Sequence, residues 1–214
     1  SDYDKYVDGK PRYEGVKSFL ESRNILLEWG NFADNDQNTI CGLGNHKDKH
    51  FVKQLKAQGV RVFESTVDLI KKLLDNNIKC AVASSSKNCQ LILQIANIED
   101  LFEVRVDGAN MSDYELSGIP LKGKPEPDIF LKSAELLGVN PKKSIVVEDA
   151  EAGVAAGRKG NFGLVLGIAR KDNTDALKNA GADIVVKDMC EFQLSQAEKM
   201  ICSNNDCHGS SHLG

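Results

Sequence analysis

From about residue 66 to residue 186 the chain repeats one theme, in which short, continuously apolar runs alternate with segments of helical spacing. "VDLIKKLLDNN" (67–77) has apolar residues at helical intervals, and "IKCAVA" (78–83) is an unbroken apolar run. The pairs that follow are "NCQLILQIANI" (88–98) with "FEVRVDG" (102–108), and "PDIFLKSAELLG" (127–138) with "KSIVVED" (143–149). "AGVAAGRKG" (152–160) with "FGLVLGI" (162–168), and "TDALKNAG" (174–181) with "ADIVV" (182–186), complete the series. A strand apolar at every position has no face for water, so both faces must be covered. Helices between such strands provide that cover, which predicts an α/β fold with a doubly wound, Rossmann-like parallel sheet. Gly138 stands where a helix over 127–137 would need a left-handed terminating residue.

Residues 1–60 carry no strand run. "EGVKSFLESRNI" (14–25) and "KDKHFVKQLKAQG" (47–59) read as amphipathic helices separated by a polar stretch that contains "GLGN" (42–45). The predicted organisation is a helical cap over 1–60, an α/β core over 61–190 and a disordered tail over 191–214. With 27 Lys and Arg against 31 Asp and Glu, the chain has no basic surplus for nucleic acid. No apolar stretch reaches the roughly 18–20 residues a membrane span needs. The six cysteines are irregularly spaced and read as reduced thiols of a cytoplasmic protein. Cys202, Cys207, His208 and His212 in the tail lack paired zinc-ligand spacing and sit in a Ser/Asn/Gly-rich terminus.

In a doubly wound sheet, ligands gather at the carboxyl ends of the strands. Three such ends are rich in polar groups. "VASSSKN" places Ser84, Ser85, Ser86, Lys87 and Asn88 between a buried strand and a helix, where hydroxyls and free N–H groups suit a phosphate. The same residues also suit an ordinary helix cap. "KGKPEPD" places Lys124 before Pro125, offering a point charge to a phosphoryl group or to solvent. "IVVEDAEAG" ends an apolar strand on Glu148 and Asp149. Two carboxylates completed by water suit octahedral Mg²⁺, and an acid pair there also suits a helix N-terminus.

Taken together, "SSSKN", "GKPEPDIFL" and "VVEDAEAGVAAG" resemble, in order and spacing, the second, third and fourth motifs of the haloacid dehalogenase superfamily, closest to its β-phosphoglucomutase-like branch. "YVDGKPRYEGVKSFLESRNI" resembles the cap of a hydrolase subgroup there. The resemblance covers about residues 2–190 and implies Mg²⁺-dependent phosphoryl transfer on small phosphorylated metabolites, sugar phosphates above all, through an aspartyl-phosphate. It implies that Ser84 binds the transferring phosphoryl oxygens and that Lys124 neutralises charge on nucleophile and phosphate. Glu148 and Asp149 would hold Mg²⁺. Ser85, Ser86, Lys87 and Asn88, with Arg12 and Lys47 from the cap, would hold the rest of the substrate. Because Lys124 and Asp149 are at loop ends, their replacement is expected to spare the fold.

The resemblance implies one part more, a nucleophile motif D-x-D at the end of a central strand. The D-x-D at the start of the chain, Asp2 and Asp4 in "SDYDKYVDG", follows no apolar strand and aligns with cap sequence, and no later D-x-D ends an apolar strand. These two read as surface acids. The nucleophile strand is therefore expected to lie outside this chain, which would then be a fragment inactive on its own. A preceding segment or another chain would have to supply a strand between those ending at Ser84 and Glu148. The rival reading is a non-catalytic phosphate-binding remnant.

Overall fold

The computed structural model describes residues 2–201 apart from residues 8, 37, 112–113, 115–117, 119 and 197–198. Among these, five strands alternate with helices as the apolar rhythm requires. β1 (Ala81–Ser84) pairs with β2 (Val104–Asp107). β3 (Ile145–Glu148) pairs with β4 (Leu164–Ile168), and β4 with β5 (Ile184–Val186). Every pairing is parallel. The expected sheet is nevertheless divided into two pieces, β2-β1 and β3-β4-β5, and β1 and β3 do not pair with each other.

The helices are α1 (Asp2–Tyr6), α2 (Arg12–Glu21), α3 (Ile40–Gln58), α4 (Glu64–Asp75) and α5 (Cys89–Ile95), followed by α6 (Asp128–Leu137), α7 (Glu151–Lys159) and α8 (Thr174–Asn179). Successive strand residues face opposite sides of the sheet, and the cores divide accordingly. On one face Val146 of β3 and Val106 of β2 share a cluster with Ile129, Phe130 and Ala134 of α6 and Ala156 of α7. On the other face Leu166, Ile168 and Val186 pack with Met189, and Leu69 of α4 and Ile145 lie against them. Helix α6 therefore bridges the two sheet pieces. It stops where expected: Gly138 is left-handed at φ 67°, its N–H donates to the Glu135 carbonyl, and Val139 N–H donates to the Ala134 carbonyl.

Residues 13–41 form a separate cluster of Tyr13, Ile40 and Cys41 between α2 and α3. The "GLGN" stretch is not a linker, because α3 begins at Ile40, seven residues before the expected helix. Thr39 caps it by accepting the Gly42 N–H at 3.0 Å. Gly44 lies against the Tyr13 ring, with a Cβ position 2.8 Å from the ring edge. Close approach of two helices accounts for glycine in a helix interior better than loop formation does. Among the described residues no helix is long and apolar enough to cross a membrane, and Cys41, Cys80, Cys89 and Cys190 are unpaired. Cys202, Cys207, His208 and His212 lie outside the described residues.

Candidate active site

The carboxyl ends of β1 and β3 face each other across a cavity of about 1300 Å³. Lys124 joins the two strand ends. The residue is only 7% exposed, and its ammonium donates to the Glu148 carboxylate and, at 3.4 Å, to the Ala83 carbonyl. It also sits 4.8 Å from the centre of the Phe130 ring. Residues 41 and 24 positions from Lys124 along the chain thus meet at one atom. Burial raises the Glu148 carboxyl above the ordinary glutamate range, while the Lys124 charge pulls it down. A Cβ at Gly153 would collide with the Glu148 carboxylate, so this glycine is what lets that carboxylate lie against the first turn of α7. The expectation that replacing Lys124 spares the fold rested on its loop position alone. Its loop position is real, but its charge is buried and paired.

Asp149, one residue beyond the strand, is 55% exposed at its side chain and lies 3.8 Å from Arg170 Nε. Glu148 and Asp149 form a hard oxygen pair, one carboxylate buried and one open to solvent. With water and substrate oxygens to complete six ligands, that set fits Mg²⁺. Among the described residues no cluster of three or more acid, His or Cys side chains forms a metal site by itself. Such an ion would thus take its other ligands from outside these side chains.

On the opposite lip, Ser84 closes β1 and accepts the Ser86 N–H at 3.2 Å, and Ser86 Oγ accepts the Asn88 N–H at 3.1 Å. The hydroxyls therefore shape the loop while still lining the cavity. Next to Ser84, burial and then the Asp107 charge push the Cys89 thiol up to about 11. Ser85 Oγ donates to the Gly9 carbonyl at 2.9 Å. Lys87 Nζ lies 5.6 Å from the centre of the Tyr13 ring. Arg12 and Lys47 line the same cavity from the helical layer. Arg12 pairs with Asp48 at 2.7 Å, and Lys47 Nζ lies 5.4 Å from the Tyr3 ring centre. The ten residues singled out from sequence thus line a single cavity.

Two parts of this arrangement were not anticipated. Asp48 holds Arg12 and also accepts Asn88 Nδ2 at 2.6 Å, tying the helical layer to the serine loop. Its signal was helical spacing, since Gly44, Asn45 and Asp48 share one face of α3. The second part is the connection between α1 and α2, which runs along the rim. Gly9 meets Ser85 and Ala150, and Pro11 packs on Gly123 beside Lys124, so one short segment touches all three polar loops. Asp2, by contrast, pairs with Arg23 at 2.7 Å with 67% of its side chain exposed. The side chain of Asp4 falls outside the described set.

Comparison with known proteins agrees with this geometry. A family profile for haloacid dehalogenase-like hydrolases matches residues 6–161. A β-phosphoglucomutase of Mycobacterium bovis is 40% identical over 196 residues, covering 90% of this chain and 73% of that protein. A phosphorylated carbohydrates phosphatase of Thermotoga maritima is 28% identical, covering 87% and 78%. The crystal structure of a β-phosphoglucomutase from Clostridium difficile superposes with a TM-score of 0.69 at 24% identity, covering 92% and 80%, and shares the fold. With sequence profile, relatives and buried Lys–Glu rim in agreement, the chain belongs to the haloacid dehalogenase-like hydrolase family.

Proposed function

We propose that the chain carries the phosphate- and cation-binding part of a phosphoryl-transfer site acting on small phosphorylated sugars. The observation that carries this reading is the Lys124 ammonium, buried between the Ala83 carbonyl and the Glu148 carboxylate at the meeting of two strand ends. A buried cation there is arranged for a second anion, because the low-dielectric surroundings strengthen its pull on a phosphoryl group. The similar β-phosphoglucomutases and the carbohydrate phosphatase point to a sugar phosphate as substrate.

In this reading Ser84 donates its hydroxyl to a phosphoryl oxygen, and Lys124 offsets the charge that gathers as the phosphoryl group moves. Glu148 and Asp149 would hold Mg²⁺, which when bound supplies further charge neutralisation at the phosphate. Ser85, Ser86, Lys87 and Asn88 orient the sugar or a second phosphate from one lip. Arg12 and Lys47, on a helical cap formed by residues 1–60, close over it from above and exclude water. The transferring bond is made by an aspartate that lies outside this chain, on a strand between β1 and β3. Its carboxylate oxygen bonds to phosphorus as the ester oxygen leaves, and that oxygen takes a proton from a second acid. Water or a sugar hydroxyl then accepts the phosphoryl group, giving a phosphatase or a mutase. The four cysteines among the described residues are unpaired, which suits a reducing cytoplasm.

Calorimetric titration of the chain with inorganic phosphate in Mg²⁺ tests the site. Lys124→Met and Asp149→Asn should each weaken binding by about tenfold or more. Unchanged affinity in both removes the site. Metal-dependent hydrolysis of p-nitrophenyl phosphate by a chain of verified mass would overturn the assignment of the nucleophile to a segment elsewhere.

A further inference from the structure

Helix α3 contains "GNHKDKHF" (44–51), in which His46 and His50 stand one turn apart. Residues i and i+4 of a helix share a face, with about 5–6 Å between their Cβ atoms, so two imidazoles so placed can reach one point. Here they do: the two Nε2 atoms lie 3.2 Å apart, with ring centres 4.7 Å apart and ring planes inclined at 62°. As it stands the contact is an N–H···N hydrogen bond, one Nε2–H donating to the lone pair of the other ring. The spacing is also that of a chelate. With metal–nitrogen bonds of about 2.0–2.1 Å, two imidazoles on one ion are about 2.9 Å apart at a right angle and about 3.4 Å apart at the tetrahedral angle. The observed distance falls between the two. His46 is half-buried, which steadies its ring, and His50 is exposed, which leaves the pair open to solvent. Lys47, Asp48 and Phe51 of the same helix line the cavity, and the helical repeat sets the His pair about 130° round from them.

We propose that His46 and His50 form a second cation site, for a divalent transition-metal ion of the Zn²⁺, Ni²⁺ and Cu²⁺ class. Imidazole nitrogen suits these ions, whereas carboxylates and water, the ligands offered at Glu148 and Asp149, suit Mg²⁺. The ion takes the place of the proton between the rings. The ring that donated shifts to its Nδ1–H tautomer, so each imidazole stays neutral and gives one Nε2 lone pair to the metal. Among the described residues no third His, Cys, Asp or Glu joins the pair, so the remaining ligands are water. Lys49, the cation next to His50, donates to Asn35 Oδ1 at 2.6 Å, which directs its charge to another partner. Bound there, the ion cross-links the turn of α3 that carries Lys47 and Asp48. Asp48 in turn holds Arg12 and Asn88, so the site clamps the stretch of helix that faces the cavity. The site stands independently of the phosphate reading.

Calorimetric titration of the full chain with Ni²⁺, at about pH 7.5 where imidazole is mostly neutral, tests the site. Excess Mg²⁺ in the buffer fills the oxygen sites, and Ni²⁺ is the probe because the thiols of the chain favour Zn²⁺ and Cu(I) over it. One Ni²⁺ should bind per chain with a Kd below about 100 μM. His50→Gln changes an exposed position and should keep the fold while weakening that binding at least about tenfold, and His46→Gln should do the same. Exchanging the two residues, His50→Phe with Phe51→His, keeps the composition but moves the second imidazole about 100° round the helix, and should weaken binding as much. Amide exchange across residues 46–50 should slow when Ni²⁺ is added to the native chain, and should not slow in His50→Gln. Absence of binding overturns the site. So does full affinity in either Gln variant or in the exchanged one, which would place the ion elsewhere, at the Cys- and His-rich end of the chain above all. Displacement of Ni²⁺ by Mg²⁺ would move it to the acid pair and overturns the site equally. Phosphate affinity does not enter these readouts, so this site and the phosphate site fail separately.

Discussion

The two sheet pieces are built from similar material and are finished to different degrees. β4 has a strand on each side and a helix layer on each face, and all five of its residues are buried. β1 and β3 each have three apolar residues in four, yet β1 is only half-buried throughout, and in β3 Val146 is buried while Val147 is exposed. Apolar sequence alone therefore does not bury a strand; its neighbours do. What joins the pieces is α6 on one face and, at the rim, the Lys124–Glu148 pair.

The largest effect is expected at that pair. Lys124→Met leaves Glu148 buried without a counter-ion and should cost about 3–5 kcal/mol in urea unfolding. Adding Glu148→Gln removes both charges and should recover most of that loss. A double variant as unstable as the single one would show that Lys124 acts through packing on Phe130 rather than through charge. Next in size, the finished and unfinished strands should respond unequally to the same kind of truncation. Leu166→Ala in β4 should cost about 2–5 kcal/mol. Val147→Ala in β3 should stay within about 0.5 kcal/mol, because nearly half of that residue already meets water. Equal losses would remove the contrast between the strands.

A smaller effect concerns pH. Burial holds the folded Glu148 carboxyl above its ordinary value, so between the unfolded and folded values the native state carries more protons than the unfolded state. The contribution of Glu148 to stability must then fall as pH rises through that window, with none of the loss present below the unfolded value. Other carboxylates titrate there too, so the quantity to measure is the stability of the native chain minus that of Glu148→Gln, from about pH 4 upward. That difference should decline with pH. A rise would mean that Lys124 outweighs burial at this site.

The order of elements was readable because continuous apolar runs leave one arrangement that covers both faces, and the expected strands at 78–83, 102–108, 143–149, 162–168 and 182–186 each overlap an observed one. The three polar loops were readable because polar groups directly after a buried strand need a reason to be there. The early start of α3 was not, since Gly42 and Gly44 signal a loop locally and are explained only by Asp36 and the Tyr13 ring against them. Asp48 was equally hidden, because its partners Arg12 and Asn88 are 36 and 40 positions away. The burial of Lys124 could not be inferred from a Gly/Pro-rich loop, because what buries it is α6 and two strand ends. Long-range packing decided each of these points.

The smallest expected effect tests the comparison between the rim and the D-x-D pair of α1. Asp2 has an ion-pair partner, as Glu148 does, but Asp2 is two-thirds exposed while Glu148 is buried. An exposed pair gains little over water and is screened by salt, so Asp2→Asn should change stability by less than about 0.5 kcal/mol, and less still at high salt. It should also leave phosphate affinity unchanged, because Asp2 pairs with Arg23 at the end of α2 and not with a rim loop. A paired carboxylate would thus be indifferent on exposed α1 and costly at the buried rim. A loss of phosphate affinity in Asp2→Asn would return the D-x-D pair to the site and remove the reason for seeking the nucleophile on a strand from outside the chain.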